Sequence, residues 1–456
     1  MNDAKPAPAG GQPWARALVR DGDRNCRANQ KLRLQTEDAL AIQRANPFRT
    51  EAIFGNRSAA RWMRRINVPT FLVGQFQDEQ TGGHFATSLG TLDRNPRTWI
   101  TLQNGVHVDS LGPDVLTRWV EFLNLYVADR VPRISDVVLS LSDQLYKTVA
   151  GAPATKVAQS RLAEMPSVAA ARAEFERDPR VRLLMDNGAG PAGPGALGAA
   201  WELALDGFPS RQVRPTAFNL GPNGSLTTEP VPDSAPARYV ADPRARPQQT
   251  LPGEGEADAW KAQPPYRWTP VAEGKGVGFA TAPLAEDVVL AGPASLDLWL
   301  TTDARDTDLQ VTVSEIRPDG AETYVQNGWL RASHESTAGG PLSPTPTHLP
   351  RDTRPLQLGS AILVRVPIFP LAHAFRAGSR IRVTIQAPGG DRPRWRFDTV
   401  DRGRTRNQIL LGSSSTASKL VLPVLAGATA QGTPLPPPTA LRGQPSRTYV
   451  PASNGG

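Results

Sequence analysis

Asp78 and His107 are the residues on which chemistry would turn. The chain has five histidines, His84, His107, His334, His348 and His373, so the search for a general base is short. His107 ends Gln103-Asn104-Gly105-Val106-His107, just after the strand-like run Thr98–Leu102 (TWITL). Asp78 ends Gln75-Phe76-Gln77-Asp78, just after the apolar run INVPTFLVGQF that begins at Ile66. Loops that follow parallel strands meet at the carboxyl edge of an α/β sheet. An acid and then a histidine delivered to that edge form the second half of the chain order serine, acid, histidine. The carboxylate would hold the imidazole in one tautomer and stabilise its protonated form, and the imidazole would take the proton of a serine hydroxyl. Spacing alone balances this against a plainer reading in which Asp78 caps a turn and His107 is an ordinary loop residue. Glu79 and Asp109 are substitutes for the acid.

His84, in Thr81-Gly82-Gly83-His84, reads as a loop histidine near the site, and His334, His348 and His373 read as structural. The nucleophile is the missing part. A nucleophile elbow requires Gly-x-Ser-x-Gly between a strand and a helix, and the 456 residues contain no such motif. Ala86-Thr87-Ser88-Leu89-Gly90 comes nearest, but no β run precedes it and it follows the acid, so Ser88 is rejected. The stretch before Asp78 is too short for the strands that precede the acid in such a sheet. Those strands, the serine and the oxyanion donors are expected to be absent from this chain.

The elements that position these residues follow from pattern. Residues 26–60 read as helical, with Leu32, Leu34, Leu40 and Ile42 among Gln, Arg and Glu and with Pro47 as a stop. Val68, Phe71, Leu72 and Val73 lack a helical period and read as a buried parallel strand. After the second strand, Gly112-Pro113-Asp114 opens a helix, and Val115, Leu116, Trp119, Val120, Leu123 and Val127 mark its buried face. Beyond Val181 the strands become short and alternating. Leu296, Leu298 and Leu300 share one face, as do Leu309, Val311 and Val313, and Arg317-Pro318-Asp319-Gly320 supplies a hairpin turn. This spacing predicts a β-sandwich of jelly-roll type.

The expected organisation is an N-terminal tail with cap-like helices (1–60), the C-terminal part of an α/β sheet (61–180), a jelly-roll sandwich (181–426) and a Pro-rich tail (427–456). The fold class is thus α/β plus all-β. Residues 229–275 read as an ordered loop packed on the sandwich, carrying Tyr239, Trp260, Tyr266 and Trp268. The last thirty residues lack a burial pattern and read as a mobile or extended tail.

Composition supports this division. With 40 Gly and 44 Pro the chain is too rich in turn formers for a coiled coil or helical bundle. The formal charge of +8 arises from 51 basic and 43 acidic residues, and such interleaving is a weak nucleic-acid signal. The densest clusters, Arg61, Arg64 and Arg65, then Arg402, Arg404 and Arg406, read as solvated faces. A single cysteine, Cys26, excludes an internal disulfide framework and a Cys-cage zinc site. The longest apolar candidate, Ala361–Phe369, is broken by Arg365 and Pro367, so no membrane span is expected.

Taken in order, these segments resemble the C-terminal portion of the X-Pro dipeptidyl-peptidase and cocaine-esterase (CocE/NonD) family of α/β-hydrolases, over roughly residues 20–425. The family's Gly-Trp-Tyr-Asp type motif is matched by Gln75-Phe76-Gln77-Asp78, and its Gly-x-x-His type motif in part by Asn104-Gly105-Val106-His107. The signatures Gly292–Leu296, Asp306–Val311 and Gly328–His334 resemble those of its galactose-binding-like jelly roll. The resemblance implies a serine hydrolase that forms an acyl-enzyme, with Asp78 and His107 as catalytic residues. Its substrate would be a peptide amide after a penultimate proline or an ester of a bulky acid.

The resemblance implies no cofactor and no metal. The expected partners are a small peptide or ester substrate, with no nucleic acid and no membrane, and either a homodimer or association with a missing N-terminal half. The chain is expected to be soluble, cytoplasmic if it starts as written and secreted if its true N-terminus lies upstream. Trp329, Trp395 and Phe397 are candidates for aromatic surface near the pocket, weighed against plain core aromatics. A different class of function is a carbohydrate- or calcium-binding sandwich, in which Asp303, Asp306 and Asp308 would supply oxygen ligands.

Overall fold

Strand β1 (Thr70–Gln75) and strand β2 (Thr98–Gln103) form where Phe71-Leu72-Val73 and Trp99-Ile100 run on without a helical period. The computed structural model describes residues 13–33, 39–153, 155–246, 266–334, 337–342, 344–389, 397–412, 415–431 and 435–454. Leu34, Trp260 and Trp395 lie outside them. β1 and β2 pair in parallel, with Gln75 opposite Gln103. Strand β3 (Val181–Met185) adds to β2 in parallel, and strand β4 (Trp201–Leu205) closes the sheet antiparallel.

Val181–Met185, expected at the start of the antiparallel region, pairs with β2 in the small sheet. Val181, Leu183, Leu184 and Met185 are all buried, as a parallel strand covered on both faces requires. The small sheet therefore runs on to Leu205.

The helix Pro113–Tyr126 starts as expected, with Gly112 at its N-cap and Asp114 in its first turn. Its buried face is different. Val115, Phe122 and Leu125 point inward with Glu121, whereas Trp119 and Val127 are 41% and 73% exposed. Glu121 is drawn inward by Arg118 and the Ser160 hydroxyl, which bond its carboxylate at 3.1 and 2.9 Å. The chain then forms the helices Asp136–Ala150 and Val168–Phe175, capped by the hydroxyls of Ser135 and Ser167.

Among the described residues the larger sheet has twelve strands, paired antiparallel, and a bridge between Ser225 and Ala280 brings the two ends of its path together. Alternation decides which side chains face its core. Leu296, Leu298, Leu300, Leu309, Val311, Val313, Val364, Val366, Ile381, Val383 and Ile385 are fully buried in one cluster. Each such burial contributes roughly 1.5–3 kcal/mol. The strands Asp308–Ile316 and Ala321–Arg331 pair through the predicted turn, where Gly320 takes a φ of +81°. Two sequence signatures meet on this hairpin, because Asp308 stands opposite Arg331 and its carboxylate accepts from the guanidinium at 2.8 Å. Tyr239, expected in a loop, lies in the strand Ser234–Ala241.

A second cluster joins the two sheets. Phe76, Leu102, Leu183 and Trp201 pack with Ala291, Ala372, Ala374 and Leu425 from strands of the larger sheet. The C-terminal segment is not a free tail. Ala440, Leu441, Arg442 and Gln444 are buried, and Ser446–Thr448 pairs with Ala321–Thr323. Arg442 and Gln444 anchor it beside Ala440 and Leu441, a mix that hydrophobic periodicity does not register. No helix among the described residues is long and apolar enough to cross a membrane.

Candidate active site

The parallel register fixes the site. With Gln75 level with Gln103, the loops after β1 and β2 leave the same edge side by side. Asp78 lies three residues past the end of β1 and His107 four past the end of β2. Their side chains meet, with His107 Nδ1 2.8 Å from Asp78 Oδ2. The other carboxylate oxygen accepts the backbone N–H groups of Gln80 and Thr81 at 2.7 and 2.9 Å. Asp78 is therefore held at both oxygens.

Electrostatics assigns the proton. Burial pushes the Asp78 carboxyl upward, but the hydrogen bond from His107 and the amides of Thr81 and Gln80 together outweigh it and hold the group below the ordinary aspartate range. An ionised carboxylate can only accept, so Nδ1 carries the proton and donates. The Asp78 hydrogen bond raises His107 above the ordinary histidine value against a smaller opposing effect of burial. In the neutral ring Nε2 is then the acceptor. The His107 side chain is 43% exposed, and no described side chain hydrogen-bonds Nε2. This is the geometry of a base whose substrate-side nitrogen is available.

The two substitute acids serve elsewhere. Glu79 Oε2 accepts the backbone N–H of His107 at 2.9 Å, and burial raises its carboxyl. Asp109 is fully buried against Arg442. Of the three acids only Asp78 reaches the imidazole.

Buried amides fix the loops. Gln77 Nε2 donates to Asn104 Oδ1 at 2.8 Å and to the carbonyl of Val325 at 3.0 Å, while its Oε1 accepts from Gly105 N at 3.0 Å. Asn104 Nδ2 donates to the carbonyl of Ala372, and Gln326 Nε2 to that of Phe76. The larger sheet thus grips both loops through hydrogen bonds that need no side-chain charge.

Sequence reasoning missed Asn187 and Arg442. Asn187 follows β3 just as Asp78 and His107 follow β1 and β2, and it donates to the carbonyl of Asn104 at 2.8 Å. Reading 181–185 as a third parallel strand would have pointed to it. Arg442 is a buried cation within Ala440-Leu441-Arg442-Gly443, a short signal in a stretch read as tail.

His84 stands in the loop after Asp78 and packs on Phe369 with ring centroids 5.0 Å apart. Phe369 in turn meets Trp329 at 5.1 Å, and Trp329 meets Phe397 at 5.6 Å. His334 and His348 pack on each other at 5.1 Å, and His373 Nε2 lies 3.0 Å from Glu315 Oε2. Ser88 lies in the 3₁₀ stretch Gly83–Leu92, and no described serine hydroxyl hydrogen-bonds His107.

The three carboxylates considered for calcium already have donors. Asp303 accepts from Arg406 N, Asp306 from Ser333 N and Oγ, and Asp308 from Arg331 and Val400 N. Among the described residues, no group of three His, Cys, Asp or Glu side chains stands together to hold a metal ion.

The parallel strands of a short mixed sheet thus bring an acid and a histidine together at their carboxyl edge, beside a larger antiparallel sheet. The family model described as the X-Pro dipeptidyl-peptidase C-terminal non-catalytic domain matches residues 173–418, more than half of the chain. The chain belongs to this X-Pro dipeptidyl-peptidase C-terminal domain family.

Its fold is similar to that of a CocE/NonD family hydrolase from Staphylococcus aureus, with a TM-score of 0.59 and 16% identity over 93% of this chain and 66% of that one. It is also similar to an aminopeptidase from a marine sediment Thaumarchaeota archaeon, with a TM-score of 0.56 and 16% identity over 90% of this chain and 64% of that one. A candidate serine esterase of Mycobacterium bovis is 27% identical over 203 residues, which are 42% of this chain and 29% of that protein. The chain thus spans about two-thirds of the solved relatives, and its match covers under a third of the curated one.

Proposed function

We propose that the chain is the acid–base and β-sandwich portion of a serine hydrolase of the X-Pro dipeptidyl-peptidase and cocaine-esterase type. His107 Nε2 takes the proton of the serine hydroxyl as its oxygen attacks the substrate carbonyl. Asp78 holds Nδ1–H and stabilises the imidazolium. The imidazolium then gives its proton to the departing amine or alcohol, leaving an acyl-enzyme. Water, activated by the same Nε2, resolves that intermediate to acid and free serine. The serine and the oxyanion donors come from polypeptide outside these 456 residues. The substrate is an amide after a penultimate proline or an ester of a bulky acid.

The 2.8 Å contact between His107 Nδ1 and Asp78 Oδ2, with Nε2 left for substrate, carries this reading. In it the antiparallel domain is a galactose-binding-like jelly roll, and Phe369, Trp329 and Phe397 help to wall the pocket beside His84. The test is co-expression of the chain with a polypeptide supplying the missing strands and Gly-x-Ser-x-Gly, assayed on glycyl-prolyl p-nitroanilide and on p-nitrophenyl benzoate. Turnover of either, lost at least about 10³-fold in His107→Ala, is expected. Turnover that survives His107→Ala would overturn the assignment.

A non-catalytic binding module is the second reading. Residues 173–418 match a domain described as non-catalytic, and that span excludes both Asp78 and His107. A melting temperature raised several degrees by a soluble sugar or by Ca²⁺ would favour it.

A further inference from the structure

The C-terminal segment reaches back across the molecule to the turn that carries His107. Ser446–Thr448 is anchored on the edge of the strand Ala321–Arg331, and Tyr324 N donates to the carbonyl of Pro445 at 2.9 Å. Four residues before Ser446, Arg442 enters the space behind the 3₁₀ turn His107–Leu111. Its Nε and Nη2 donate to Asp109 Oδ1 at 2.9 and 2.6 Å. Nη1 donates to the carbonyl of Gly195 and Nη2 to that of Ala150.

Asp109 turns this anchor into loop geometry. Its Oδ2 accepts from Val106 N at 3.1 Å and from Asn187 Nδ2 at 3.2 Å, and its carbonyl accepts from Gln103 Nε2 at 2.8 Å. Val106, just before His107, and Asn187, two residues past β3, are thus tied to one fully buried carboxylate, and the end of β2 to the backbone carbonyl of the same residue. Gly105 and Gly443 pack so closely that a Cβ on Gly443 would lie 2.8 Å from the Gly105 carbonyl carbon. Burial pushes the Asp109 carboxyl up and the Arg442 guanidinium opposes that push, so loss of Arg442 would weaken the carboxylate's hold on these donors.

We propose that Arg442 is a positioning residue for His107, acting through Asp109 to hold the imidazole against Asp78. Arg442 touches neither member of the pair. The charged groups that face His107 are Asp78 and Glu79, so any effect of Arg442 on the imidazole passes through the shape of the turn. The relevance to turnover rests on the proposed hydrolase function. The geometry can be tested without turnover.

The experiment is an imidazole proton NMR titration of the full chain, with the His107 signal assigned by its loss in His107→Ala. Arg442→Met is expected to lower the His107 midpoint toward the ordinary value of about 6.5, with the midpoints of the other histidines unchanged. Arg442→Lys is expected to recover at least half of the loss. The sign is diagnostic, because an Asp109 left ionised and unpaired would push His107 upward, whereas a loosened contact with Asp78 pushes it down. An unchanged or raised His107 midpoint in folded Arg442→Met would overturn the proposal and leave Arg442 a staple of the fold. Should that variant fail to fold, Asp109→Asn combined with Arg442→Met removes both charges, and the same two outcomes decide.

Discussion

Asp78 Oδ2 accepts a hydrogen bond from His107 Nδ1 at 2.8 Å across 29 positions of sequence. The register of β1 against β2 makes this contact, because each side chain lies just beyond the end of its own strand. Asp78→Asn replaces the acceptor oxygen with a group that can present N–H, so the tautomer is no longer fixed. In the assembled enzyme kcat is expected to fall on the order of 10⁴-fold, read from initial rates.

His107 has a definite pH signature. Its folded value is raised, so its contact with Asp78 stabilises the protein fully below the unfolded value of about 6.5 and ceases to do so as pH rises through the folded value. The lowered value of Asp78 acts in the opposite direction, stabilising above about pH 3.9 and fading as pH falls through its folded value. Urea midpoints of the wild type and His107→Ala, compared from pH 5 to 9, are expected to differ most at the acid end of that range. A constant difference would contradict the raised value. Activity runs the other way, since the base works as neutral imidazole, and kcat/KM should rise with pH through the His107 value.

Much of this was legible in sequence, for a physical reason. Asp78 and His107 follow two apolar runs without helical period, and the core of the larger sheet follows from strict alternation at Leu296, Leu298 and Leu300. The partner of β3 was not legible because a five-residue apolar run fits either kind of sheet, and only its pairing with β2 decides. The segment around Arg442 escaped because ion pairing and backbone hydrogen bonds bury it, and neither has a period.

Breaking the Asp109–Arg442 pair from one side strands a buried charge. Arg442→Met is expected to cost about 3–5 kcal/mol in urea unfolding, and Asp109→Leu combined with Arg442→Met less than either change alone. A double variant as unstable as the sum of the singles would show that packing, rather than charge, dominates.

Gly105 is expected to refuse a side chain. A Cβ there would lie 2.5 Å from Asp109 Oδ2 and 3.0 Å from Asn187 Nδ2. Gly105→Ala should cost roughly 1–3 kcal/mol through overpacking, again read from urea unfolding.

β1 stands at the edge of its sheet with Phe71, Leu72 and Val73 only half-buried. Such an edge pairs readily with another chain. The isolated protein is expected to self-associate as concentration rises, in sedimentation or light scattering. A monodisperse monomer at high concentration would count against an unpaired edge.

The most direct test of the acid–base assignment is the intact mass after treatment with a fluorophosphonate, which adds covalently only to an activated serine. The spectrum would be taken for the chain alone and for the chain assembled with a polypeptide bearing Gly-x-Ser-x-Gly. The account predicts no adduct on the chain alone and a single adduct on the added serine, lost when His107 is changed to Ala. An adduct on this chain, or one on the added serine that forms equally well without His107, would contradict it.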